Sequence, residues 1–236
     1  MNPVVHKAPS LAIIYDASKM DVPAVETFTP EYWAARNALQ GEAIGRGSAW
    51  FIDAPFGPAV LRQYLRGGWA AKLSRSAYFF STVESSRPFR EFNVLVSLYE
   101  LGLPVPRPLA ALCEHHGFMS SGALMTARIE GAQTLADVLS GDNASVELWA
   151  EVGRCIRRFH QAGAWHADLN ARNILLDAEN RVFLIDFDRA RFTPDKAVNG
   201  ANNLARLKRS LVKFWPASQA AKLHSAWESL MGAYHA

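Results

Sequence analysis

Cysteine is nearly missing from this chain, with Cys113 and Cys155 the only two in 236 residues. That excludes a disulfide scaffold and suits a reducing compartment. Long apolar runs are missing too. No stretch approaches the ~18 uncharged apolar residues of a membrane span, and the early run Leu11 to Tyr15 is too short for an export signal. The expectation is a cytoplasmic chain that touches a membrane only from its surface. Excess charge of one sign is slight, at 25 Lys and Arg against 22 Asp and Glu, a net +3. With 50% hydrophobic residues, that balance excludes intrinsic disorder. Metal-ligand spacing is absent as well. Cys113, His115 and His116 have no second ligand pair, so they read as a hairpin tip before Gly117 rather than as a zinc site.

What is present suffices for a sizeable core, in one large domain or two tightly coupled lobes. The first forty residues are weakly patterned and punctuated by Pro3, Pro9, Pro23 and Pro30. From Glu42 to Ile52 the text reads strand, glycine turn, strand, and Ala59–Tyr64 reads as another strand. Ser86-Arg87-Pro88 starts a helix with Phe92, Leu95, Val96 and Tyr99 on one face, closed at Gly102. Strands around 110–114 and 123–129 follow. The later half carries a helix marked by Leu148, Trp149, Val152, Ile156 and Phe159, two short strands at 174–176 and 182–185, and a helical tail from Asn202. Strands first and helices later argue for α+β with lobes 1–126 and 127–236.

The sharpest signal is His166-Ala167-Asp168-Leu169-Asn170-Ala171-Arg172-Asn173, followed by Ile185-Asp186-Phe187-Asp188. This H-x-D-x-x-x-x-N and D-F-x order suits phosphoryl transfer. Asp168 is placed to orient an acceptor hydroxyl and take its proton, while Asn173 and Asp186 hold the divalent cation that bridges ATP phosphates. The same residue types also cap turns, but their order after an amphipathic helix favours the chemical reading. His160 reads as a packed helix end and His166 as a brace for the loop. Gly45 and Gly47 sit in a turn that can lay backbone N–H groups over phosphates. Arg62 stands where such enzymes carry a strand lysine, Glu91 is its natural partner, and Lys72 is an alternative phosphate-binding cation.

In this order the motifs resemble the protein-kinase-like superfamily. Leu61-Arg62-Gln63-Tyr64-Leu65-Arg66-Gly67-Gly68, with the 166–170 and 185–189 segments, resembles more narrowly the Kdo kinases of the lipopolysaccharide kinase family. The resemblance implies a bilobal fold, with an antiparallel sheet and a helix in the N-terminal lobe and a reduced, mainly helical C-terminal lobe. It implies ATP and Mg²⁺ as cofactors. It also implies phosphorylation of the 4-hydroxyl of 3-deoxy-D-manno-octulosonic acid (Kdo) on a lipid A precursor, at the cytoplasmic face of an inner membrane. Ala167 in place of the usual Arg, Asp188 in place of Gly, and no A-P-E motif after Asp186 fit a small substrate better than a peptide. A core heptose kinase, an aminoglycoside-type phosphotransferase and a membrane-associated pseudokinase are the alternatives.

Charge placement adds partners. No acid lies between Asp53 and Glu84, where Arg62, Arg66, Lys72 and Arg75 mix with aromatics. None lies between Asp195 and Glu228, where Arg206, Arg209 and Lys213 face away from Leu204, Leu207 and Leu211. The second stretch reads as a lobe helix with a solvated basic face. The first reads as contact with substrate or an anionic membrane surface, which makes Arg66 a substrate candidate. Arg172 and Arg189 flank the motifs and match the acceptor's carboxylate in charge. Nothing resembles a nucleic-acid reading motif, and no obligate protein partner is evident.

Overall fold

The computed structural model describes residues 1–42, 49–64, 83, 86–116, 119–140, 145–194, 196–216 and 219–236. The chain divides into two compact units, Met1–Ser97 with Arg107–Arg128 and Leu98–Pro106 with Ile129–Ala236. The division is not one cut: 98–106 groups with the second unit, whereas the sequence reading placed it with the first.

The first unit is built on an antiparallel sheet of β1 (Pro3–Ala8), β2 (Leu11–Asp16), β3 (Leu39–Glu42), β4 (Ala49–Ala54), β5 (Gly57–Tyr64), β6 (Pro108–His116) and β7 (Met119–Ala127). The strand order is β1-β2-β6-β7-β5-β4-β3. On one face Ala59 and Leu61 join Ile13, Ile52, Leu112 and Met125 in a core closed by Phe28 and Trp33, which come from a 3₁₀ turn (Val25–Phe28) and α1 (Pro30–Ala34). Strand alternation turns Arg62 and Tyr64 to the opposite face. There Arg62 meets α2 (Arg87–Glu100) through Glu91. Gly122 permits the helix start to come close, because a Cβ there would meet the Leu112 carbonyl oxygen at 2.4 Å and Pro88 Cγ at 2.7 Å. The buried stripe of α2 runs through Phe89, Glu91, Phe92, Leu95 and Leu98. It is rotated from the expected one, so Val96 and Tyr99 are only half-buried.

The weakly patterned opening turns out to be structured. β1 pairs with β2 from Pro3↔Asp16 to Ala8↔Leu11. Asp16 is fully buried, and it is bonded by Asn2 N–H at 3.0 Å, Ser18 Oγ at 2.7 Å and Arg107 Nε at 3.0 Å. Burial pushes its pKa up, but these donors outweigh burial and hold it well below the carboxylate range.

The second unit holds α3 (Leu135–Ser140), α4 (Val146–Gln161), α5 (Ala201–Phe214) and α6 (Ala220–His235). Its small sheets run β11 (Val182–Leu184), β10 (Ile174–Leu176), β8 (Gln133–Thr134) and β12 (Arg191–Phe192) with β9 (Ala164–Trp165). Ser145 caps α4 by accepting from Leu148 N–H at 3.3 Å, and the expected apolar stripe is buried. Burial also pushes the Cys155 thiol up to about 12. The helical tail is two helices rather than one. Trp215 is extended (ψ 128°) because a residue before proline, here Pro216, is kept out of the α region.

Candidate active site

The loop 166–173 is organised by hydrogen bonds that leave its acidic residue facing outward. His166 Nδ1 accepts the Asp168 N–H at 3.1 Å, and Nε2 lies 2.9 Å from the Ile185 carbonyl. An amide N–H can only donate and a carbonyl can only accept, so His166 is the neutral Nε2–H tautomer. Asn203 on α5 brackets the same residue. Its Oδ1 accepts His166 N–H at 3.1 Å, and its Nδ2 donates to His166 C=O at 2.6 Å. Asn203 Oδ1 also takes a bond from His160 Nε2 at 3.0 Å, and Tyr234 OH lies 2.8 Å from His160 Nδ1. Burial holds the His160 pKa below its ordinary value. Ser210 Oγ accepts from Ala171 N–H at 3.0 Å. Helix α5 is thus fastened to the loop at two points on one face, about two turns apart.

Within the loop the Asp168 carbonyl accepts two side-chain amides, Asn170 Nδ2 at 2.8 Å and Asn173 Nδ2 at 2.7 Å. The second bond fixes which way the Asn173 amide points. Its Oδ1 is the one buried side-chain nitrogen or oxygen without a hydrogen-bond partner among the described residues. Such an orphan is costly unless something fills the place of a partner. The β10–β11 register Ile174↔Leu184 sets Asn173 beside Ile185, whose N–H donates to the Asn173 carbonyl at 3.0 Å. Asp186 comes next, at φ 70°. This left-handed conformation is strained for a residue with a side chain, and such strain collects at functional sites. It is held by Phe187, buried between Phe159 (centroids 5.7 Å apart) and His166 (4.8 Å). An amide oxygen and a carboxylate are hard donors that suit Mg²⁺ completed by phosphate oxygens. No cluster of three or more His, Cys, Asp or Glu able to hold a metal occurs among the described residues.

In the first unit Arg62 pairs with Glu91, as expected, and Tyr64 joins them. Its hydroxyl accepts from Arg62 at 2.7 Å and donates to the Glu91 carboxylate. Burial and the Glu91 charge push the Tyr64 pKa well above its ordinary value, so the phenol stays a donor. Glu91 is 2% exposed, which rules out the solvated helix charge that helix statistics alone would allow. A cavity of about 420 Å³ opens beside Phe28, Gln63, Tyr64, Leu112 and Glu114, lined by neither Arg62 nor Glu91. Gly45, Gly47, Arg66 and Lys72 lie outside the described residues.

The profile of the Lipopolysaccharide kinase (Kdo/WaaP) family matches residues 30–234. The chain belongs to this family. Among relatives, a protein of Stenotrophomonas maltophilia (strain R551-3) named 3-deoxy-D-manno-octulosonic acid kinase is 46% identical over 204 residues, which is 86% of this chain and 80% of that protein. One of the same name from Xylella fastidiosa (strain M23) is 42% identical over 223 residues, 94% of this chain and 89% of that protein. A third, from Xanthomonas campestris pv. campestris (strain B100), is 45% identical over 204 residues. Membership in the lipopolysaccharide kinase family makes the chain a phosphotransferase.

The structure brings Asp168, Asn173 and Asp186 to one loop–hairpin junction. Arg172 and Arg189 are exposed, and the Arg172 guanidinium lies over the Phe214 ring, 4.9 Å from its centroid. Sequence reasoning quoted Tyr64 in the 61–68 segment without seeing its bond to Glu91, missed Asn203, and took Arg206 only for part of a basic helix face. Arg206 Nη1 in fact donates to Asp168 Oδ1 at 2.5 Å. For Arg206 the available signal was its place on α5 between Leu204 and Leu207, off their apolar stripe.

Proposed function

We propose that this lipopolysaccharide kinase transfers the γ-phosphoryl group of ATP to the 4-hydroxyl of Kdo on a lipid A precursor. The observation that carries the mechanism is the buried, unpartnered Asn173 Oδ1 beside Asp186. The names of the relatives supply the acceptor. In this reading the two compact units are the lobes of a protein-kinase-like fold, with the nucleotide lid at Gly45 and Gly47 in the first. Arg62, steadied by Glu91 and Tyr64, contacts phosphate oxygens. Asn173 and Asp186 would hold Mg²⁺, which would neutralise charge developing on the transferred phosphoryl group. Asp168 orients the acceptor hydroxyl and takes its proton, while His166 and Asn203 keep the loop rigid. Arg66, Arg172 and Arg189 are further candidates for acceptor contact.

No helix among the described residues is long and apolar enough to cross a membrane. A lipid acceptor therefore fits a peripheral enzyme at the cytoplasmic face of the inner membrane. The exposed Lys208, Arg209, Val212 and Lys213 of α5 supply a basic, partly apolar surface for it.

The test is mass spectrometry of the product formed from ATP and Kdo-bearing lipid A. The expected product is heavier by one phosphate, mapped to Kdo. Asp186→Ala is expected to lose transfer while melting as a folded protein. Phosphate on a heptose, or full turnover in Asp186→Ala, would overturn the assignment.

A further inference from the structure

We propose that Arg206 recognises the carboxylate of the acceptor sugar and sets that sugar in register with Asp168. The inference rests on the Kdo reading above and deepens it. Arg206 projects from α5 because Leu204, Leu207 and Leu211 are buried on the other side. Its Nη1 meets Asp168 Oδ1 at 2.5 Å, and the two side chains are 49% and 54% exposed. An ion pair so exposed contributes little to stability. Asn203 and Ser210 already fasten α5 to the loop without it. A guanidinium has five N–H donors in a planar fork, matched to a carboxylate. Among the described residues the hydrogen bond to Asp168 uses Nη1, and the side chain is 49% exposed, which leaves Nε and Nη2 as donors for a ligand beside the carboxylate that orients the acceptor.

An acidic sugar raises a problem that a neutral one does not. Its own carboxylate must approach a surface that already carries Asp168, Asp186 and Asp188, and like charges repel at that range. A cation tied to Asp168 removes the repulsion where it would arise. In Kdo the carboxylate and the 4-hydroxyl belong to one ring. A guanidinium bonded to Asp168 at one edge and to the sugar carboxylate at another therefore leaves Asp168 Oδ2 for the hydroxyl. Among the described residues Arg172 is turned onto Phe214 and Asp168 pairs with Arg206, so neither Arg172 nor Arg189 is tied to the reacting carboxylate in this way.

The test compares the same Kdo glycolipid as free acid and as methyl ester, with wild type, Arg206→Ala and Arg206→Lys. Steady-state kcat and KM are read for each, and thermal melting checks folding. The wild type is expected to prefer the acid by about 10–100-fold in kcat/KM, the range for a lost charged hydrogen-bond pair. In Arg206→Ala that preference should collapse toward unity, mainly through KM for the acid. Arg206→Lys should recover part of it, since it keeps the charge but not the fork. An unchanged acid-to-ester ratio in both variants would show a loop brace only and overturn the inference. No phosphorylation of the acid by wild type would instead overturn the Kdo reading itself.

Discussion

At Asn173 a single amide bonds the Asp168 carbonyl through its nitrogen at 2.7 Å and leaves its buried oxygen without a partner among the described residues. Asn173→Asp separates the two roles. It keeps an oxygen for a cation but sets a carboxylate oxygen against the Asp168 carbonyl, two acceptors facing each other. We expect kcat to fall about 10²-fold, the size of a lost preorganised donor. A Mg²⁺ titration of activity should show half-saturation no weaker than wild type. Asn173→Ala should lose both kcat and Mg²⁺ dependence at accessible concentrations. At this scale Asp168, Asn173 and Asp186 were singled out by the sequence, because each lies in a short segment of recognisable spacing. Arg206 was not, since it meets Asp168 from 38 residues away. Tyr64 was not either, since a tyrosine two residues after Arg62 looks like any strand residue until Glu91 is brought beneath it.

Elements depend on close approaches that no propensity scale anticipates. Gly153 lies in the middle of α4, where replacement by Ala ordinarily gains about 1 kcal/mol of helix stability. Here an added Cβ would meet the Leu230 carbonyl oxygen of α6 at 2.2 Å. Overpacking of that kind costs roughly 1–3 kcal/mol, so the clash prevails. Gly153→Ala is expected to lower the thermal midpoint by several degrees, measured by calorimetry. A rise would show that α6 can shift at no cost. The same contrast runs through the rest of the chain. The stripe of α4 was readable because Leu148, Val152 and Phe159 repeat at helical spacing. The β1–β2 hairpin was not. β1 is exposed at every residue, and β2 is buried from Ala12 to Asp16, so neither shows alternation.

For the molecule as a whole, buried ionisable groups set the response to pH. Burial favours neutral His160 in the folded state, so the unfolded chain binds the proton more readily. Stability from this group is complete above the unfolded value of 6.5 and is lost as pH falls through and below it. The slope is at most about 1.4 kcal/mol per pH unit for one proton. Calorimetric midpoints should decline in this window, and His160→Gln should flatten the decline. A wild-type midpoint unchanged from neutral pH to pH ~5.5, a unit below histidine's ordinary value, would refute it. Asp16 acts in a separate, more acidic window. Its pKa is lowered, so its contribution is present above 3.8 and is lost only as pH falls further.

The scarcity of cysteine, the short apolar runs and the 166–173 loop were settled by the order of residues alone. They depend on composition, or on neighbours close enough for backbone geometry to place them. The strand order with β2 beside β6, the Asn203 bracket around His166 and the Arg206–Asp168 pair were decided only by tertiary packing. Their partners lie tens of residues apart. They meet because burial of a helix or sheet face orients the polar side chains on the other side, and one side chain's surroundings do not exist until that burial has occurred.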